Sequence, residues 1–558
     1  MIARGHQGTS SILSTSYAPP SALTRDSPAV GLLARERTVA GPGFNRWLLP
    51  PAALAIHLCI GMAYGLSVFW LPLTHLIAGA PADACKGMGL GGSLFTTACN
   101  WRVDDVNWMF KLSIVVLGCS AALWGGWLER VGPRRAGVTS ALCWSSGLAI
   151  TALGIWLHQL WVMWLGTGLV GGIGLGLGYI SPVSTLIKWF PDRRGMATGM
   201  AIMGFGGGAM IGAPLANLLI DHFKGGAEAG VWQTFLVLAA LYLVFMLAGA
   251  FGYRVPPAGW RPAGSPAATT ATRLVANGHV DLRDAHKTPQ FWLIWAVLFL
   301  NVSAGIGVLA MSSPMLQEIF GGRLIGLPDV GFTQLDDGQR KLVAGIAAGF
   351  TGLLSLFNIF GRFFWASFSD RIGRKLTYAT FFAGGVLLYA AAPWFAHAGS
   401  KALFVVALCV ILSFYGGGFA TVPAYLADIF GTRFVGAIHG RLLTAWAAAG
   451  LVGPTIVSQL RDARIAAGVP RDLVYDDAMH VLAGLLVVGF VCNLLIRPVH
   501  ARWAMPDNDE ATLRPGGGAS GIGTGGLTFG AALAWAAVGV PLAWGVYKTV
   551  TTALKLFS

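Results

Sequence analysis

Thirteen apolar runs, each about as long as a membrane is thick, govern what this chain can fold into. A membrane helix needs roughly 20 apolar residues, each adding about 1.5 Å. Twelve such runs fall between about residues 47 and 498, and a thirteenth lies at about 527–547. Only 11% of the 558 residues are charged and 55% are hydrophobic, whereas a soluble domain carries about 25% charged residues. That deficit excludes a water-soluble enzyme of this length, and the apolar content excludes disorder except at the ends. The 77 glycines and 21 tryptophans suit close-packed membrane helices with interfacial aromatic belts.

The longest polar interruption separates the sixth run from the seventh. The expected organisation is a disordered cytoplasmic tail at 1–45, a six-helix half at 46–253, and a central cytoplasmic loop at 254–288. A second six-helix half follows at 289–498, then a Gly-rich linker at 499–526 and an extra transmembrane helix at 527–558. Arginine and lysine concentrate in alternate loops, among them Arg134, Arg135, Lys188, Arg193, Arg194, Arg374 and Lys375. By the positive-inside rule those loops are cytoplasmic. The protein is then expected in the inner (plasma) membrane, with its N-terminus inside and its C-terminus outside. The net charge of +14 is mostly this topological signal, so nucleic acid is not an expected partner. Seven cysteines show no metal-ligand spacing, and neither metal nor cofactor is expected. Cys85 and Cys99, in the first outer loop, are candidates for a disulfide.

The two halves are copies. Glu129-Arg130-Val131-Gly132 after the second run and Asp370-Arg371-Ile372-Gly373 after the eighth stand 241 residues apart. The same offset links Pro182 to Pro423, Gly195 to Gly436 and Gly199 to Gly440. Parallel repeats of this kind are related by an axis along the membrane normal, with a binding site between them near the midplane.

These loops resemble the signature of the major facilitator superfamily, whose fold would be all-α. The second copy matches well from Asp370 to Lys375; the first departs at Glu129 and Pro133. Gly178-Tyr179-Ile180-Ser181-Pro182, the run from Lys188 to Gly195, Gly204-Phe205-Gly206-Gly207-Gly208 and Lys287-Thr288-Pro289-Gln290-Phe291-Trp292 narrow the resemblance to its oxalate/formate antiporter family, relatives of monocarboxylate transporters. It covers roughly residues 46–500 and implies a lock at the cytoplasmic ends, for which Asp370, Arg371, Glu129 and Arg130 are the candidates. A short acid at a helix end can accept bonds from a neighbouring helix N-terminus and pair with arginine.

One ionisable residue lies deep in a run. Arg362 precedes Asp370 by eight residues, about 12 Å along a helix and close to the middle of a core roughly 30 Å thick. A cation there costs at least about 2.5–3.5 kcal/mol and cannot shed its proton. No buried acid in the sequence neutralises it. A planar guanidinium holds a carboxylate by two parallel bonds, so the expected counter-ion is a carboxylate ligand. The resemblance implies the same role for the eighth-helix arginine. Asn358, one turn earlier, is expected to orient Arg362 or bond the substrate. Lactate–proton carriers have aspartate at this place, and asparagine cannot titrate. Tyr64, Tyr179, Tyr415, Phe419 and Trp446 are expected to form an aromatic wall. Trp446 stands where oxalate carriers of the family have lysine, which favours a monocarboxylate over a dianion. His57, inside the first run, is a possible proton site.

The sequence therefore reads as a carrier, not an enzyme, that moves small carboxylates by alternating access. Exchange of a formate-, pyruvate- or lactate-type anion, or oxalate/formate antiport, is favoured over proton-coupled symport. A membrane sensor lacks a signalling domain here, and a membrane enzyme lacks clustered His, Asp or Glu at one face. Lipid is the surrounding partner, and the working unit is expected to be a monomer.

Overall fold

The computed structural model describes residues 31–77, 88–225, 230–257, 260, 262, 278–505 and 528–554. Thirteen helices are long and apolar enough to cross a membrane: α1 (Arg46–Phe69), α2 (Asp105–Val131), α3 (Pro133–Trp156), α4 (Leu160–Trp189), α5 (Arg194–Phe223), α6 (Val231–Gly252), α7 (Pro289–Ile325), α8 (Asp337–Ile372), α9 (Arg374–His397), α10 (Lys401–Phe430), α11 (Val435–Ala466), α12 (Asp476–Leu495) and α13 (Phe529–Ala553). In lipid each backbone must satisfy its own polar groups, which is why apolar runs of this length become helices.

Local chemistry sets their ends. Asp336 and Gln339 form a reciprocal capping box at the start of α8. Gly132 and Gly373 end α2 and α8 with φ of +87° and +86°, a conformation open at little cost only to glycine. These two glycines are repeat equivalents. Three helices are irregular: α1 tightens into a 3-10 stretch at Gly61–Phe69, α4 carries a π-helical stretch at Trp164–Gly171 where it packs on α2 and α3, and α11 loosens at Leu443.

The duplication is visible as mirrored contacts across the seam between the halves. α5 packs on α8, and α11 packs on α2. Gly199 lies so close to α8 that a Cβ there would stand 2.9 Å from the Arg362 carbonyl oxygen. Its equivalent, Gly440, approaches the carbonyl of Ala121 in the same way, at 2.2 Å. The glycine run of α5 serves three neighbours at once. Gly208 abuts the backbone of α1 at Leu58, Gly206 abuts Ile359 and Arg362 on α8, and Gly207 abuts Leu542 on α13.

α13 is additional to the two six-helix halves. It lies against α1, α5 and α8, touching both halves, through close contacts of Gly545 with the Met210 carbonyl and Gly349 with the Thr552 carbonyl. Most of its surface faces outward.

The basic loops gather at one end of the bundle, called the basic face below. Part of the expected disordered tail is ordered there. Residues 31–45 dock beside the end of α6, with Ala40 N donating to Val255 O (3.0 Å) and Val255 N to Thr38 O (2.8 Å). The physical reason is that Thr38 and Ala40 bury themselves against the helix ends. Cys99 is disulfide-bonded; Cys85 lies outside the described residues.

Candidate functional site

Arg362 is fully buried between the two halves, on the face of α8 that meets α5. Its Nε donates to Asn358 Oδ1 (3.1 Å) and its Nη1 to the Ile202 carbonyl (3.3 Å). Nη2 has no hydrogen-bond partner. Among the described residues no carboxylate pairs with it. The guanidinium carbon stands 5.1 Å from the Phe419 ring centroid, a cation–π contact that stabilises the charge only in part. Buried charges are ordinarily paired; among the described residues this one has no carboxylate counter-ion.

All five aromatic residues picked out in the sequence converge here. Tyr179 and Trp446 stand 5.2 Å apart by ring centroids, Phe419 and Trp446 4.9 Å, and Tyr415 and Phe419 5.3 Å. Tyr64 lies 6.3 Å from Trp446, and its hydroxyl meets that of Tyr415 at 3.4 Å. The charge of Arg362 reaches Tyr64, Tyr179 and Tyr415. The Tyr179 hydroxyl and the Trp446 Nε1–H are buried without partners. The centre therefore offers three unspent donors from both halves: Arg362 Nη2, Tyr179 Oη and Trp446 Nε1. Such a set can hold a small anion by direct hydrogen bonds while aromatic rings exclude water. Tyr64 alone of the six is partly exposed.

Two members of this cluster escaped the sequence reading. Phe205 touches Tyr64 (5.0 Å), Tyr179 (5.3 Å) and Trp446 (5.3 Å). The repeat offset had a signal for it, since Phe205 is the equivalent of Trp446. His439 is buried 5.9 Å from Tyr179 with both ring nitrogens unpartnered; it carried no sequence signal. His57 sits beside the cluster, Nδ1 against the Ala201 carbonyl and Nε2 3.2 Å from the Tyr179 carbonyl. That geometry joins α1 to α4 and α5.

At the basic face the halves are bolted together. Asp370 accepts from the backbone amides of Gly195 (2.8 Å) and Met196 (2.9 Å), at the N-terminus of α5, where the helix dipole favours an anion. Gly195 must be small: a Cβ would stand 2.0 Å from the Ala366 carbonyl. The cation on Asp370 is Arg374 (2.6 Å), not the adjacent Arg371, because Arg374 opens the next helix and turns back over it. Arg374 also reaches Asp428 (3.1 Å), which binds Arg194 across the seam (2.9 Å). The first copy differs. Glu129 pairs with Lys188 (2.6 Å) and accepts from Ser184 (3.1 Å), both within its own half, although its carboxylate closely approaches Gly436 of α11. Arg130 and Arg371 are exposed at the surface and take no part in either cluster. Arg194, Arg374 and Asp428 thus complete the ionic cluster around Asp370, a placement that sequence reasoning had not assigned.

Residues 57–454 match the family model of the Major Facilitator Superfamily. The chain belongs to this superfamily. It is 27% identical over 348 residues to the oxalate:formate antiporter of Oxalobacter formigenes, covering 62% of this chain and 74% of that one. It is 24% identical to apicoplast pyruvate carrier 1 of Toxoplasma gondii over 74% of this chain and 84% of that one. Human monocarboxylate transporter 11 is 25% identical over 76% of this chain and 79% of its own. Among solved structures, the E. coli fucose:proton symporter superposes with TM-score 0.53 at 13% identity, over 80% of this chain and 98% of that one. A proton:xylose symporter gives TM-score 0.55 at 13% identity, over 84% and 98%. These superpositions fix the fold. The protein is a multi-pass membrane transporter of this superfamily and not an enzyme.

Proposed function

We propose that this transporter carries small carboxylate anions across the inner membrane by alternating access, exchanging one for another. The observation that carries this reading is Arg362: a permanent charge, fully buried between the halves, with one nitrogen unspent and no acid to pair with. A carboxylate arriving from either side supplies the missing charge and accepts from Nη2, Tyr179 and Trp446. A single cation balances a single negative charge, which favours formate-, pyruvate- or lactate-type anions; a dianion leaves one charge uncompensated at a cost of several kcal/mol. The oxalate:formate and pyruvate carriers among the relatives support the same substrate class. Exchange follows because an empty Arg362 resists reorientation through the apolar seam, whereas a neutralised one does not. The bolt of Asp370 on Gly195 and Met196 supports a role in closing the cytoplasmic side.

The test is counterflow of labelled formate, oxalate, pyruvate and lactate in proteoliposomes, with and without a pH gradient. Replacing Arg362 by Ala or Lys is expected to cut flux at least about 30-fold, the equivalent of losing about 2 kcal/mol of charge-assisted bonding. Undiminished flux in both variants overturns the reading.

Proton-coupled symport is the second reading, and His57 favours it. Both of its ring nitrogens face carbonyl oxygens. A neutral imidazole donates to only one of them, and an imidazolium to both. Flux that is driven by an imposed pH gradient, and loses that drive in His57→Gln, selects symport.

A further inference from the structure

A cavity of about 550 Å³ opens on the outer side of the seam between α5 and α8, at the basic face. One wall is an aromatic ladder. Phe360, Phe364 and Phe368 follow one another at intervals of four on α8, nearly parallel, with centroids 5.3 and 5.8 Å apart. Phe360 and Phe364 are 55% and 41% exposed, so the described residues leave much of the ladder uncovered. The rim is charged. Arg193 and Arg371 stand there exposed at the surface, and among the described residues their guanidinium groups make no hydrogen bond or ion pair.

Two acids share the rim, but both are already engaged. Asp192 is paired with Arg46 (2.9 Å) and Asp370 with Arg374 (2.6 Å). The uncompensated charge of the cavity mouth is therefore positive. It is carried by one arginine from each half, since Arg193 precedes α5 and Arg371 closes α8.

We infer that this cavity binds an anionic glycerophospholipid of the leaflet at the basic face, its phosphate between Arg193 and Arg371 and an acyl chain along the phenylalanine ladder. Guanidinium groups recognise phosphate by parallel bonds. A cytoplasmic leaflet supplies anionic headgroups that basic clusters attract. Free phosphate satisfies the arginines but leaves the ladder bare, and a zwitterionic lipid covers the ladder but brings no net charge to the rim. A phosphate held by both arginines adds a link between the halves next to the bond of Asp370 with α5. The lipid then stabilises the state in which the basic face is shut. This also gives Arg371, which lies outside the ionic lock, a partner.

The experiment uses the purified full chain in detergent, titrated with phosphatidylglycerol or phosphatidylcholine of identical acyl chains. Bound lipid is counted by native mass spectrometry, and melting is followed in parallel. Phosphatidylglycerol is expected to be retained at least tenfold better and to raise Tm more. The double variant Arg193→Gln/Arg371→Gln should abolish that preference, and Phe364→Ser should weaken retention while the preference persists. Millimolar inorganic phosphate should neither raise Tm comparably nor displace the lipid. Equal retention of the two lipids by the natural protein overturns the proposal. So does an undiminished preference in the double variant, or stabilisation by inorganic phosphate equal to that by lipid. Should the double variant not fold, the lipid pair on the natural protein and the Phe364 variant still decide. None of these readouts depends on which anion is carried.

Discussion

Phe205 and Trp446 meet edge to face with ring centroids 5.3 Å apart, and they are equivalent positions of the internal repeat. The pseudo-two-fold axis therefore passes between two aromatic rings, directly beside Arg362. Position 446 is where the second half presents its own side chain to the centre, and its indole Nε1 is unpartnered.

Trp446→Lys should bring a second cation to the site. The ratio of oxalate to formate counterflow is expected to rise about tenfold, the equivalent of about 1.4 kcal/mol. A variant that retains formate flux with an unchanged ratio places the dianion determinant elsewhere.

Asn358→Asp should give Arg362 a resident counter-ion at the position from which Asn358 now accepts its Nε–H. An aspartate beside a guanidinium ionises below the ordinary carboxylate range. At pH 7.5 it is charged and competes with substrate, so apparent affinity should fall about tenfold. It stays charged down to pH 5, so the weakened affinity should persist across that range. Counterflow at the two pH values measures this; a variant as tight as the natural protein at both would show that substrate does not need the free charge.

Gly195→Ala should force α5 and α8 apart at the bolt, because the new methyl meets the Ala366 carbonyl and the Asp370 carboxylate. Overpacking of this kind costs about 1–3 kcal/mol. Thiol labelling of cysteines introduced on the basic side of the centre should become faster in the variant. Labelling at the natural rate argues that the bolt yields without opening.

Glu318→Ala should act on stability and spare selectivity. Buried Glu318 on α7 accepts from Arg461 (2.8 and 2.5 Å), Tyr475 (2.6 Å) and Arg471 (3.2 Å), tying together the C-terminal half alone. Removing one partner of a buried pair costs about 3–5 kcal/mol. A clear drop in Tm with the oxalate-to-formate ratio unchanged is expected; a changed ratio would connect this cluster to the site.

Fold and centre were legible to different depths. Span number followed from hydropathy, because lipid leaves a chain few choices. Arg362 stood out because a charge at that depth has to be explained, and Asn358 followed from helical spacing. The aromatic wall was readable from tyrosine and tryptophan placement, but Phe205 reads in sequence as part of a glycine run, although the repeat points to it. His439 and Asp428 gave no such sign. Their importance depends on which helices face each other across the seam, and that relation is not local in sequence. Arg374 rather than Arg371 binding Asp370 is likewise a matter of how the chain turns at Gly373. The ordered stretch at 31–45 was missed because its docking partners lie more than 200 residues away at Val255 and about 100 away at Glu129 and Arg134.

The mirrored approach of Gly199 to Arg362 and of Gly440 to Ala121 makes residue 121 the geometric twin of the buried guanidinium. One half of the molecule thus supplies electrostatics, while its copy offers a methyl group in the same setting. The two halves share a packing and differ in chemistry at this level, so under the proposed function a bound anion is oriented head-first. Position 121 is accordingly the natural place to engineer an opposing charge without inventing a new scaffold.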